Sequence, residues 1–497
     1  MPPTPPPLLL PAPRCPRSTA VLAASRFAAS ASSSSGGGGG GSSGGARTAR
    51  PPPAPRRRRG KPGFSRPSAI KKSFHQEQVV FSTPVPPDPS VAVVGGGASG
   101  LACAASLAAR GVRAVVFDTG MHGLGGRMAT RAIAAAGDQQ QQQQLVFDHA
   151  AQFFTASDER FKRVVDEWMD KGLVREWGGL IGELDAGGHF RPMPSSSPPR
   201  YIGVDGMRPL ADAILPESDL IEVVRPCWIS KLEPFNGLWR LFENEKPHGQ
   251  YDAIVIAHNG KCANRLLSTS GLPLLTRQMK RLQLSSVWAL LAAFQDPLPI
   301  PQTDSYGTFE GAFVKDVDSL SWMANNTQKL FPLQTGRPEC WTFFSTAAYG
   351  KRNKVPQENI PKITAEKVKE DMLRGVELAL GLSRGSLQQP FYTRVQLWGA
   401  ALPMNTPGVP CIFDPQGRAG ICGDWLTGSS IEAAVLSGMS LANHIADYFA
   451  SSVEQPEEFA IGLHENLSQV EGHDIGQFPG LESQKPHVAE AQLTPST

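Results

Sequence analysis

One hexapeptide constrains this chain more than any other feature: Gly95-Gly96-Gly97-Ala98-Ser99-Gly100, a GxGxxG run between two apolar stretches. Val91-Ala92-Val93-Val94 before it has no polar position, as a strand buried on both faces requires. Leu101 to Arg110 after it reads as an Ala-rich helix, and Ala114-Val115-Val116-Phe117 as a second buried strand, so the run opens a βαβ unit. Each glycine has a mechanical reason. Gly95 permits the tight turn, Gly97 lets a pyrophosphate approach the backbone, and Gly100 lets helix and strand pack closely. Free N–H groups at the helix start, around Ala98 and Ser99, hold phosphates together with the positive end of the helix dipole. Asp118 follows Gly100 by 18 residues. An acid there accepts ribose hydroxyls and repels a 2′-phosphate, which disfavours NADP. A GxGxxG alone also suits a structural turn; strand, helix and acid together favour a dinucleotide.

Two later segments bear on which dinucleotide. Gly123-Leu124-Gly125-Gly126-Arg127-Met128-Ala129-Thr130-Arg131 places a second glycine pair and an arginine soon after the acid. Near the other end, Ala419-Gly420-Ile421-Cys422-Gly423-Asp424-Trp425 reads as a strand and a Gly-Asp turn. A helix follows from about Ser430, with Ile431, Val435, Gly438, Ala442, Ile445 and Phe449 at four-three spacing on one face. The three segments together resemble the extended fingerprint of the flavin-containing amine oxidase superfamily. The resemblance implies FAD, and no cysteine sits in a motif that would link it covalently, so the FAD is expected to be noncovalent. Gly125 and Gly126 would run beside its pyrophosphate and ribityl chain, with Arg127 neutralising phosphate charge. Asp424, behind Gly423, would contact the ribityl or pyrophosphate region. The helix start at Ser430 and Ile431 would face flavin N1 and O2, where a helix N-terminus stabilises the negative charge of the reduced ring. Val224 belongs to the same set of cofactor contacts.

Two more segments resemble renalase-like oxidoreductases: Phe147-Asp148-His149-Ala150-Ala151-Gln152-Phe153-Phe154-Thr155-Ala156, and Tyr201-Ile202-Gly203-Val204-Asp205-Gly206-Met207. That branch implies hydride transfer from a small reduced substrate to flavin N5, with molecular oxygen or another acceptor taking the electrons. His149, Gln152 and Trp398 are the pocket candidates, with Trp341 or Phe343 as alternative aromatic walls; each also reads as a core residue. The chain departs from the superfamily at Asp118, where Glu is common, and at His258-Asn259, where relatives carry small apolar residues. The second departure would alter the pocket edge. Rival readings are a polyamine- or carotenoid-type oxidation, an NAD-dependent dehydrogenase, and an FAD-binding organellar assembly factor without turnover.

The expected fold is α/β: a doubly wound Rossmann-type FAD domain from 84–160, 200–270 and 395–450, with a smaller α+β substrate domain from 161–199 and 271–394. Phe161, Val164, Val165, Trp168 and Met169 read as the inner face of a helix. Val223-Val224, Trp228–Leu232 and Trp239–Phe242 read as a strand meander, and Tyr251–Ala257 as a further strand. The six-glutamine run 139–144 suits a surface hairpin tip. Residues 1–76 hold ten Arg, three Lys and no acid, with a glycine run from Gly36 to Gly41. That composition predicts a disordered organelle transit peptide, plastid ahead of mitochondrion. Residues 453–497 read as a polar, frayed tail. The remainder, 77–497, carries 35 basic and 45 acidic residues, which argues against nucleic acid as a partner. Seven dispersed cysteines without metal-ligand spacing read as buried free thiols, so no metal is expected. No apolar run is long enough for a transmembrane segment.

Overall fold

The computed structural model describes residues 76–134, 144–301, 307–451 and 456–470. The expected transit segment lies, except for Gln76, outside the described residues, as do most of the glutamine run and residues 471–497.

Ser90–Val94 sits inside a six-stranded sheet. Arg113–Phe117 and Ala253–Ile256 flank it in parallel, and Ile221–Val224 and Ala419–Ile421 extend the parallel run on either side. Ile412–Asp414 closes one edge antiparallel. The all-apolar composition of the central strand is explained by its two covered faces. Val91 and Val93 pack on one side with Leu101 and Leu107 of the helix Ala98–Ala109, and with Val435, Leu441 and Ile445 of the C-terminal helix Ile431–Ala450. Ala92 and Val94 pack on the other side with Trp239, Leu241, Leu266 and Leu275. This is the α/β, Rossmann-type arrangement that the βαβ pattern predicts.

A seven-stranded sheet follows the order Tyr392–Trp398, Val287–Phe294, Glu339–Phe344, Trp322–Asn325, Gly311–Lys315, Ile181–Asp185, His189–Pro192. Val287–Phe294 is buried at every position, so alternate residues serve two cores. Trp288, Leu290 and Ala292 meet Val368, Met372 and Val376 of the helix Lys362–Ala379. Leu291 and Ala293 face the opposite way, onto Leu145 and Phe147 of the hairpin Thr130–Ala134 and Gln144–Asp148. Among the described residues no helix is long and apolar enough to cross a membrane.

Several expectations need correction. Val223-Val224 belongs to the edge strand of the parallel sheet; the meander is Lys231–Phe235, Leu238–Glu243 and Lys246–Tyr251. The helix Glu159–Asp170, assigned from sequence to the smaller domain, packs through Phe161, Val165 and Trp168 into the core shared with the GxGxxG helix. Met169 on that helix is exposed, because the buried face is narrower than the apolar pattern. Strand Tyr392–Trp398, assigned to the nucleotide domain from residue 395 on, lies at the edge of the second sheet. The chain beyond 453 is docked as far as it is described: Ile461 exchanges backbone hydrogen bonds with Phe413, Leu463 is buried, and Ser468–Gln469 pairs with Asn405–Thr406. Spaced apolar residues (Phe459, Ile461 and Leu463) anchor it despite its polar composition. Cys262 is exposed, whereas the other described cysteines are buried.

Candidate functional site

The GxGxxG turn closes as its spacing requires. Gly95 has φ +122°, and a Cβ there would lie 2.9 Å from the Ala257 carbonyl oxygen. A Cβ on Gly100 would lie 2.0 Å from the Gly95 carbonyl oxygen, so helix and turn touch backbone to backbone. Gly97 differs: a Cβ there would meet nothing within 4 Å. Gly97 caps the helix Ala98–Ala109 without a side-chain bond, and the first turn carries no acid. The Leu101 N–H bonds the Gly97 carbonyl, so the N–H groups of Ala98, Ser99 and Gly100 are the ones without an intrahelical partner.

Asp118 ends the second strand, but its carboxylate is turned inward. Oδ2 accepts from the Gly96 N–H at 2.9 Å and Oδ1 from the Gly120 N–H at 2.7 Å. A one-methylene-shorter side chain than Glu explains this: it reaches the local backbone first. Each oxygen keeps a second lone pair for a ribose hydroxyl. Val224 lies beside it, its carbonyl accepting from the Asp118 N–H at 3.1 Å. His258 is half-buried beside the GxGxxG turn. Its Nδ1 lies 3.0 Å from the Val94 carbonyl oxygen, against the GxGxxG turn. Burial, first of all, lowers its pKa, against the opposing pull of Val94 and Asp118.

The second glycine turn is hydrogen-bonded to the first. Gly125 has φ +105° and donates to the Gly96 carbonyl at 2.8 Å, and Gly97 and Gly125 form a bridge. Arg127 follows and ties four segments together. Its Nη1 donates to the Ala401 carbonyl at 2.8 Å and its Nη2 to Asp424 Oδ1 at 2.6 Å, while its own carbonyl accepts from the Ala151 N–H at 2.9 Å. Burial opposes the guanidinium charge, and Asp424 outweighs it, raising the Arg127 pKa. Arg127 is thus matched by a carboxylate instead of standing free for phosphate. Gly423 donates to Ser437 Oγ at 3.0 Å, holding the Gly-Asp turn on the C-terminal helix. That helix begins at Ile431, with Ser430 Oγ accepting from the Ala433 N–H. Arg208 was not foreseen: its guanidinium covers Gly123, where a Cβ would lie 2.3 Å from Nε.

His149 and Trp398 meet. Their rings stack at 5.6 Å and 15°, and Trp398 Nε1 donates to the His149 carbonyl at 2.8 Å. His149 is 6% exposed and its Nδ1 has no partner among the described residues. Burial, then the charge of Arg131, push its pKa down to about 4, with Arg394 adding to the effect and Asp148 opposing it. Gln152 is buried too, its amide donating to the Asp148 carbonyl at 2.7 Å. Trp341 and Phe343 are core residues instead, stacked on each other at 6.0 Å on the strand face toward the helix Lys362–Ala379. Sequence reasoning also missed a fully buried ion pair below His149. Lys329 Nζ donates to Asp148 Oδ2 at 2.6 Å and to the Gln152 carbonyl at 3.1 Å, while Asp148 Oδ1 accepts from Met207 N–H. Nothing in the spacing of residues 148 and 329 could signal that contact. Away from these groups, Cys227, Glu243 and His248 bring their ligand-type atoms within 4.8 Å of one another, without a sequence spacing to announce it. Burial, first of all, raises the Cys227 thiol to about 11.

The fold and the turn define an α/β protein with a Rossmann-type nucleotide-binding domain. Residues 93–168 match the NAD(P)-binding Rossmann-like domain family. Among solved structures the chain is similar to a protein described as a protoporphyrinogen oxidase from Exiguobacterium sp., at TM-score 0.51 and 12% identity over 73% of this chain and 99% of that one. It is also similar to the cyclohexylamine oxidase of Brevibacterium oxydans, at TM-score 0.49 and 14% identity over 73% and 99%. At such identity the first likeness speaks for the shared fold alone.

Proposed function

We propose that the chain is an FAD-dependent oxidoreductase that draws a hydride from a small reduced substrate, in the manner of renalase-like proteins, and that it works in a plastid. One observation carries the reading. The three segments whose resemblance implies FAD meet at one place, through the Gly97–Gly125 bridge and the Arg127–Asp424 pair. An NAD-dependent dehydrogenase is the second reading, favoured by the Rossmann-like family match. It gives the joined Gly423-Asp424 turn no role.

The residues fit the cofactor. Open space lies over Gly97, uncapped N–H groups adjoin it, and the glycine at 428 also faces open space, with no atom within 4 Å of its would-be Cβ. Ala98, Ser99 and Gly100 would hold the pyrophosphate, Asp118 a ribose, and Asp424 the ribityl region. A bound FAD supplies a two-electron acceptor. The protein supplies position and exclusion of water: His149, held uncharged at physiological pH, and Trp398 form a stacked wall. The Ser-rich, acid-free leader composition supports the plastid.

The test is the visible spectrum of the purified chain. A yellow protein whose colour bleaches anaerobically with dihydronicotinamide isomers and not with amines supports the reading. A colourless chain that takes up no added FAD sinks it. Bleaching by amines would shift the assignment to an amine oxidation, and no bleaching by either to a binding protein without turnover. Asp118→Ala should retain less FAD; unchanged content would remove the ribose contact.

A further inference from the structure

The strand Tyr392–Trp398 turns its residues alternately to two sides. Val395 and Leu397 pack into the core beneath the helix Lys362–Ala379. Trp398 and Tyr392 go to the opposite side, where Trp398 stacks on His149 and Tyr392 stacks on Phe147 at 5.8 Å. Arg394 and Gln396 stand between those two rings on the same side by register. Arg131 comes to this place from the hairpin, on the strand position paired with Phe147.

Two arginines are therefore brought to one place beside Tyr392, and neither guanidinium has a hydrogen bond or ion pair among the described residues. Arg394 is exposed, while Arg131 is half-buried with its Nε buried and without a partner. His149 presents a second orphan, Nδ1, from a side chain more than nine-tenths buried. The positive charge acts on the titratable groups around it. After burial, Arg394 is the cause that lowers the Arg131 pKa, and both arginines depress His149 and act downward on the Tyr392 hydroxyl. Two like charges held together at a partly desolvated place cost free energy unless an anion joins them. A guanidinium fork matches a carboxylate or a phosphate in two-pronged geometry.

We propose that Arg131 and Arg394 bind an oxyanion carried by the substrate, whose flat unsaturated ring lies toward Trp398. The substrate class is thus an anionic ring compound, not a cationic amine. This rests on the reading of the His149–Trp398 wall as the substrate side of an FAD site. The two arginines would fix which end of the substrate lies deepest, and Gln396 between the rings offers the amide for a ring substituent.

The experiment titrates the purified full chain with benzoate, phenyl phosphate and neutral benzamide, by calorimetry and by perturbation of flavin absorbance. Benzoate or phenyl phosphate should bind at least ten times tighter than benzamide, and weaken with added salt. Which of the two binds tighter decides between carboxylate and phosphate. Arg394→Gln and Arg131→Gln should each weaken the anion about tenfold or more with FAD content unchanged, and Arg131→Lys should recover part of the loss. Benzamide binding as well as benzoate, or unchanged anion affinity in both Gln variants, overturns the proposal. So does loss of FAD in Arg131→Gln, which would give that arginine to the cofactor. Because calorimetry needs no colour, a colourless chain that still binds benzoate through Arg131 would remove the FAD reading and leave the anion site standing.

Discussion

Lys329 and Asp148 are both wholly buried, and each oxygen of Asp148 is engaged. Removing one partner leaves an uncompensated charge in the interior, which costs about 3–5 kcal/mol. Lys329→Met should therefore lower the chemical-denaturation midpoint strongly, whereas Lys329→Met with Asp148→Asn should recover much of the loss. His149 yields a prediction in pH. Its pKa falls from 6.5 in the unfolded chain to about 4 in the fold, so the unfolded chain takes the proton first as pH drops. Stability is fully present above pH 6.5 and is lost between 6.5 and 4, by about 3 kcal/mol in all. His149→Gln should flatten that part of the Tm-against-pH curve; an unaltered slope would show that His149 titrates normally. At this scale legibility depended on fixed spacing. Gly95, Gly97, Gly100 and Asp118 stand at the fixed intervals of one local turn, so they could be read. Lys329 is joined to Asp148 only by tertiary packing, and no interval along the chain encodes it. The inward turn of the Asp118 carboxylate was equally hidden, because it depends on a side-chain length measured against the folded backbone.

The helices Ala98–Ala109 and Ile431–Ala450 are in backbone contact. A Cβ on Gly438 would lie 2.1 Å from the Ser99 carbonyl oxygen and 2.9 Å from the Cys103 nitrogen. Neither atom belongs to a flexible side-chain end, so the helices themselves would have to part. Gly438→Ala should cost about 1–3 kcal/mol or more by overpacking, read as a lower urea midpoint, and should also reduce FAD retention if Ser99 belongs to the phosphate turn, as proposed. An equal midpoint would mean the helices separate without loss. Elements with a strong period were legible: of the stripe Ile431, Val435, Gly438, Ala442, Ile445 and Phe449, all but the half-buried Phe449 lie in the buried face of the helix. Short strands were not. Val223-Val224 looks the same in sequence whether it joins a meander or the edge of a parallel sheet, since two apolar residues carry no period. The docked segment 456–470 was misread for a related reason: Phe459, Ile461 and Leu463 are diluted by acids and glycine, and the average composition hides them.

For the whole molecule, a ligand that binds the folded chain and not the unfolded one stabilises it by mass action, by about 2.7 kcal/mol at a hundredfold excess over Kd. Added FAD should raise the Tm of cofactor-stripped chain in a concentration-dependent way. NADP should raise it much less, since an acid in the proposed ribose position, Asp118, would repel a 2′-phosphate. Equal shifts with the two would argue for a site that does not discriminate at the ribose. The α/β class was readable from the βαβ start, because that unit has one common way to bury a two-faced apolar strand. How the second sheet is ordered was not, since its strands pair across long separations and the pairing leaves no local mark.

The Arg127–Asp424 pair joins positions 297 residues apart, and the sheet beneath it needs strands from residue 90 to residue 421. At a ribosomal rate of about 5–20 residues per second, Arg127 waits roughly 15–60 s for its partner to be made. The phosphate turn alone is finished early, but it stands over an incomplete floor. Loading of the proposed FAD would therefore be an event of the finished polypeptide, and a stalled or truncated product would carry the fingerprint without the capacity to be charged.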